Sequence, residues 1–263
     1  MQLQPAISQQ CRGTTWQNNS CAYNAVITIL FNVWQQNPAN YTAAWQQMGS
    51  HELSLLVVGF RQLIGNPQLS LETIRDTVRQ RFATLSDTHF RFGQYTSAHN
   101  LLLTLLTTQF AITRTTQQCI NPAHATLNES ITTNAVVKVS TPPYSLQAIV
   151  NHFQEVLASR CPSCNEQQIR QTWIVSHSPL IAFEWGIDAP ILNKTLNIVV
   201  GPTPHEYYLC GVIYLCHEHF TSHFIDQDSQ WWFHDSITTA ATLQREPPAT
   251  TQHPHAVLAI YRY

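Results

Sequence analysis

The sequence predicts an α+β fold, and three observations predict it. Apolar residues recur at helical spacing across residues 21–110. Short β-branched and aromatic runs, bounded by Pro and polar clusters, fill the rest. Hydrophobic residues make up 44% of the 263, enough for a packed core and too many for a disordered tail.

Ser20 stands as N-cap to a helix running from Cys21 through Ala25, Val26, Ile29, Leu30 and Val33, until Pro38 stops it. Residues 51–63 and 70–85 repeat that spacing, the second with Ser70 and Thr73 ahead of Ile74, Val78 and Phe82. A further helix is predicted over 97–110 from the dense run Leu101, Leu102, Leu103, Leu105 and Leu106. Strands are predicted over 136–139, 173–175, 181–185 and 197–200, with a helix over 145–157 among them. Residues 207–214 and 219–226 read as a hairpin joined by 215–218, and 231–234 and 256–261 complete the sheet. No internal repeat and no Gly/Ser linker divides the chain, so a single domain over 1–263 is expected.

Charge narrows the function. With 13 Lys+Arg against 15 Asp+Glu, the chain has no field with which to hold a polyanion, which argues against a general nucleic-acid binder. Gln and Thr replace charge as the solvating side chains. No apolar run reaches the roughly 18 residues of a membrane span, and residues 1–12 are polar, without a secretory apolar core. A reducing compartment, cytoplasmic or nuclear, is therefore expected. The seven cysteines read as thiols and metal ligands before disulfides.

Two groups of residues carry chemistry. Cys21 falls in the first turn of its helix, where unpaired N–H groups and the helix dipole favour a thiolate, although most helix-start cysteines are inert. His219 opens the second hairpin strand, and Asp235 follows sixteen residues later, after Trp231-Trp232-Phe233-His234. Neighbouring antiparallel strands can hold that imidazole and carboxylate within hydrogen-bond reach. The alternative is a region that is merely rich in histidine, since His217, His223 and His234 crowd the same stretch.

Six blocks in order resemble the ubiquitin-specific protease family of papain-like cysteine proteases. Asn19-Ser20-Cys21-Ala22-Tyr23-Asn24 is similar to the family's Cys box, and Thr96-Ser97-Ala98-His99-Asn100-Leu101-Leu102 to its Q-D-A-H-E-F-L helix. Tyr208-Leu209-Cys210-Gly211-Val212-Ile213 and His219-Phe220-Thr221-Ser222 resemble the strands around its catalytic histidine. Trp231 with Asp235 matches the spacing to the third triad member, and residues 256–262 resemble the closing strand. The resemblance spans residues 16–262. It implies Cys21 as nucleophile, His219 as general base and then acid, and Asp235 as the group that orients the ring. His223 is the competing base. The family's oxyanion Asn lies five residues before the cysteine, where this chain has Trp16, so Gln17 or Asn18 must substitute, together with the Cys21 N–H. The acidic residues of the helix block are Ser97 and Asn100 here, and the hairpin before His219 is short, which marks a divergent, minimal member.

Cys161-Pro-Ser-Cys164 supplies two corners of a tetrahedral zinc site, and Cys119 with His124, 36 residues or more upstream, offers a second pair. A redox disulfide at 161/164, or four unrelated residues, are the alternatives. The family's fingers carry such pairs, so the resemblance implies one structural Zn2+ per chain. It also implies a helical thumb over 1–112, zinc-bearing fingers and palm over 113–200, and a palm with the His box over 201–263. The expected activity is thiol isopeptidase cleavage after the C-terminal Gly-Gly of ubiquitin or a ubiquitin-like modifier through a thioester. The expected partner is that modifier, SUMO included, bound by a monomer with no nucleic acid and no membrane. A catalytically inactive module that binds ubiquitin or SUMO, and a SUMO-specific isopeptidase, are the alternatives.

Overall fold

The helix that begins at Cys21 organises the molecule. In the computed structural model, which describes residues 11–86, 88–124, 128–139, 145–151, 154–186, 188–247 and 255–263, α1 (Cys21–Gln36) is buried at every position but its last. A helix apolar on all sides belongs in a core, and Asn32 and Gln35, two of the polar residues α1 carries, are hydrogen-bonded there. Asn32 Nδ2 donates to Thr28 O and Arg12 O, and Gln35 Nε2 donates to Asn32 Oδ1. Pro38 ends α1 as expected and also starts α2 (Pro38–Gln47), with Asn37 as N-cap. The next three helices, α3 (His51–Gly65), α4 (Leu71–Ala83) and α5 (Ala98–Leu105), are each capped by the serine before them, whose Oγ accepts from the N–H three residues on. Each such cap stabilises by about 1 kcal/mol.

Twelve strands follow among the described residues. They are β1 (Thr113–Cys119), β2 (Asn128–Thr132), β3 (Val136–Lys138), then, after α6 (Leu146–Asn151), β4 (Gln154–Arg160), β5 (Gln167–Ile174), β6 (Leu180–Glu184), β7 (Thr195–Val200), β8 (Thr203–Cys216), β9 (His219–Ile225), β10 (Trp231–His234), β11 (Gln244–Glu246) and β12 (Ala256–Arg262). A four-stranded antiparallel sheet runs β2-β1-β5-β4. An eight-stranded sheet runs β11-β10-β9-β8-β12-β6-β3, with β7 paired to β8; only β3 and β6 are parallel.

Two expectations are corrected. The helix predicted over 97–110 ends at Leu105, and Thr107 instead bridges to Asn134. The helix predicted over 145–157 stops at Asn151; residues 152 and 153 lie outside the described set, and 154–160 pair with β5 as a strand. Gln, Glu, Leu and Ala in that segment favour a helix locally, and the ladder to β5 overrides them.

Side-chain alternation divides the large sheet between two cores. Leu258 and Ile260 of β12, Leu180 and Ala182 of β6, and Phe224 of β9 pack with α1, α3, α4 and α5. Ala259 and Tyr261, Ile181 and Phe183, and Ile225 face the other way, against Trp185, Leu196 and Trp231. α1 lies directly on β8 and β9. The approach is closest at Gly211, where a Cβ would come within 2.5 Å of Ile29 Cγ2.

Burial lowers the pKa of His177, His223 and His234 from the ordinary 6.5. The unfolded chain therefore takes up protons near that pH that the folded chain binds only lower. Stability from these groups is present above about pH 6.5 and is lost as pH falls. Thermal melts are expected to give a lower Tm at about pH 5.5 than at about pH 7.5; a Tm flat across that range would contradict the burial of the three rings.

Candidate active site

The segment leading to Cys21 is laced to the loop after β10. Arg12 bridges to Thr242, Gly13 N donates to Ala241 O, Thr14 N donates to His234 Nε2, and Trp16 N donates to Ser236 O. These bonds hold the start of α1 beside Asp235. Ser20 is the N-cap residue, but its hydroxyl does not cap α1. It accepts from Gln17 N and Asn24 Nδ2 instead, closing the loop on itself. Asn18 and Asn19 take φ of 49° and 58°, a left-handed pair that asparagine tolerates better than most residues. Cys21 itself is only 2% exposed.

His219 and Asp235 meet as their spacing predicts. His219 opens β9, β9 pairs with β10, and Nε2 of the ring lies 2.9 Å from Asp235 Oδ1. The hairpin before His219 is tighter than expected: Cys216 faces His219 across a two-residue turn, with His217 and Glu218 both at positive φ. Asp235 Oδ1 also accepts from Ile237 N at 2.9 Å, and Oδ2 accepts from the Thr238 hydroxyl at 2.9 Å. Burial raises the carboxyl's pKa, but the Ile237 N–H, His219 and the Thr238 hydroxyl outweigh it and hold Asp235 below the ordinary carboxylate value. With Nε2 on the carboxylate, Nδ1 is the nitrogen left for a thiol. α1 packs on β9, so Cys21 and His219 belong to elements that share one interface.

His223 is occupied on both sides. Its Nε2 is 2.9 Å from Glu246 Oε2 and its Nδ1 is 3.0 Å from the Tyr214 hydroxyl, in a buried aromatic setting. It has no free nitrogen for general base work.

Two residues that the sequence did not single out line the Cys box from below. Arg75 and Arg79, on α4, are 0% and 1% exposed. Arg75 donates to Thr15 O, Asn24 Oδ1 and Ser20 Oγ, and its Nη2 lies 3.5 Å from Gln17 Oε1. Arg79 donates to Gln17 O and Asn18 O. Asp76 pairs Arg75 through two bonds and Arg79 at 3.5 Å. A basic pair at i and i+4 on an amphipathic helix reads as a solvated face, so only their burial reveals them. Gln17 is thus partly engaged, while the Asn18 side chain makes no hydrogen bond to another described residue.

The thiols of Cys119, Cys161 and Cys164 converge at the far end of the four-stranded sheet, all within 4.8 Å of one another. β1 ends at Cys119, and the β4–β5 turn carries the other two, closed by Cys161 N to Glu166 O and by Asn165 N to Cys161 O. Backbone N–H groups of Ser163 and Cys164 lower the Cys161 thiol's pKa, and Asn121 N donates to Cys119 Sγ. Three clustered thiols with amide donors on the sulfur suit a soft divalent ion, and this group could hold a metal. His124 is not among them: it sits exposed in a short 3-10 turn, Pro122–His124.

No family model matches the sequence, and no curated protein does. Solved structures do match. The SAGA Ubp8/Sgf11/Sus1/Sgf73 DUB module bound to ubiquitin aldehyde aligns at TM-score 0.67 and 10% identity, covering 99% of this chain and 71% of that one. The module bound to monoubiquitin aligns at 0.63 and 12%, with coverage of 99% and 71%. A yeast SAGA DUB module aligns at 0.57 and 10%, with 99% and 70%. The fold of the whole chain is that of the Ubp8 ubiquitin-specific protease domain.

Burial pushes the Cys210 thiol up to about 12 and the Cys11 thiol up to about 11. In native protein treated with iodoacetamide near pH 8, peptide mass mapping is expected to find Cys210 unmodified until denaturant is added. Rapid native labelling of Cys210 would show that the α1–β8 interface opens.

Proposed function

We propose that the chain is a thiol isopeptidase cleaving after the C-terminal Gly-Gly of ubiquitin or a ubiquitin-like modifier. The observation that carries it is the His219–Asp235 pair, 2.9 Å apart, with His219 on β9, the strand packed against the helix that Cys21 begins. In this reading Nδ1 of His219 takes the Cys21 proton, the thiolate attacks the scissile carbonyl, and the new oxyanion is held by the Cys21 N–H with Asn18 or Gln17. His219 then protonates the departing lysine amine. Water, activated by the same ring, hydrolyses the thioester. A sulfur so covered is reachable by an extended segment of small residues, and Gly-Gly is such a segment. Ubiquitin is the first modifier to test because similar structures hold it.

Vinyl-ester or propargyl probes of ubiquitin, SUMO and other relatives are the direct experiment. A covalent adduct on Cys21 is expected with at least one of them. A folded protein left unmodified by every probe would favour the inactive binding module, which Trp16 at the family's oxyanion position would suit. With the responsive modifier, His219→Ala is expected to lower kcat/KM by about 10²-fold or more, and His223→Ala to leave the pH profile unchanged. The reverse pattern would transfer the base to His223.

Zinc in this reading is structural, held by Cys119, Cys161 and Cys164, with His124 brought in as the fourth ligand. Its chemistry there is to pin β1 to the β4–β5 turn. One zinc per chain is expected by elemental analysis, with Cys164→Ser lowering both metal content and Tm. A metal-free protein with an unchanged melt would remove the metal from the account. Full retention of zinc in His124→Ala would give the fourth corner to another donor.

A further inference from the structure

The departure at Trp16 leaves a chemical question that α4 answers. Trp16 is 42% exposed, and its indole has no amide with which to hold an oxyanion. Backbone N–H groups must then do more of that work, and their directions must be set by something. A trans peptide points its C=O and N–H in opposite senses. The Thr15–Trp16 peptide displays the pattern: its carbonyl accepts from Arg75 on α4, and its N–H donates away from α4, to Ser236 O beside Asp235. The next fixed peptides repeat it. The carbonyls of Gln17 and Asn18 both accept from Arg79, so the N–H groups of Asn18 and Asn19 are turned away from α4. None of the N–H groups of Asn18, Asn19, Ser20 and Cys21 donates to another described residue.

We infer that Arg75 and Arg79 are positioning residues of the catalytic site: they draw the Cys-box carbonyls onto α4 and thereby present the backbone N–H groups before Cys21 as oxyanion donors. This rests on the isopeptidase reading above. The guanidinium plane suits the task, because one Arg79 side chain reaches two successive carbonyls with two different nitrogens, which a lysine ammonium does not do in a fixed plane. Arg79 is itself held in place. Its Cζ lies 4.5 Å from the Phe92 ring centroid and 5.4 Å from that of Tyr23, while Asp76 ties it to Arg75. The left-handed Asn18–Asn19 turn is the conformation that this pull imposes.

The test compares Arg79→Lys and Arg79→Met with wild type. It uses a C-terminal fluorogenic amide of whichever modifier the wild type cleaves, alongside iodoacetamide alkylation of Cys21, which passes through no oxyanion. Both variants are expected to lose about 10²-fold in kcat, the scale of a lost oxyanion donor, with KM and the alkylation rate within about twofold of wild type. Unchanged kcat in folded Arg79→Lys overturns the inference. So does a parallel fall in kcat and alkylation, which would mean that the whole Cys-box helix had shifted. If Arg79→Met does not fold, Arg79→Lys decides. Failure of both to fold reduces the pair to a stabilising role and also overturns it. A wild type inert toward every modifier is a different failure: it removes the isopeptidase reading itself, and the positioning role falls with it.

Discussion

Everything in this molecule turns on the burial of α1 between the other helices and the large sheet. The helix has no solvated face, so its position is fixed from every side: by Phe60, Leu53 and Leu56 of α3, by Leu101 and Leu102 of α5, and by Ile213 and Phe224 of the sheet. Interiors packed this densely do not deform smoothly. The start of α1, and with it Cys21, is therefore held by the packing of the whole helix against β8 and β9. Cys21 and His219 are thereby carried by two layers, helical and β, that meet in one packed contact.

The features of the candidate site divide by how they are held. Asp235 is secured locally, by a turn whose own N–H and hydroxyl groups bind its carboxylate, so its charge and direction do not depend on distant parts of the chain. The Cys box is secured globally. It is stitched to β10 on one side and pulled by two buried guanidinium groups on the other, with no helix cap of its own. Buried cations are costly unless bonded, and here the two guanidinium groups divide their hydrogen bonds between Asp76, polar side chains of the Cys box and three backbone carbonyls of the loop they shape.

Much of this was legible in the sequence. The α1, α3 and α4 periodicities and the hairpin leading into His219 follow from local pattern, and the Cys161/Cys164 knuckle with Cys119 follows from spacing. What was hidden is what only tertiary pairing decides. The 154–160 segment carries helix-forming residues and became a strand through its partner. Strands β1 and β2, built largely of Thr, Gln and Asn, have no apolar alternation to announce them. Arg75 and Arg79 look like surface charges until the fold encloses them. His124 has the right residue type and distance along the chain, but it sits exposed in its 3-10 turn outside the group of three thiols.

The wide separation of the reactive groups along the chain has a consequence for biosynthesis. The thiol of residue 21 leaves the ribosome well before the strand bearing residue 219 and the loop bearing residue 235. Contacts between residues 12–16 and residues 234–242 cannot form until residue 242 has emerged. A nascent polypeptide that stops short of those residues thus carries Cys21 without His219 and without the bonds that order residues 12–16. The segment before α1 thus takes its order from strands made long after it.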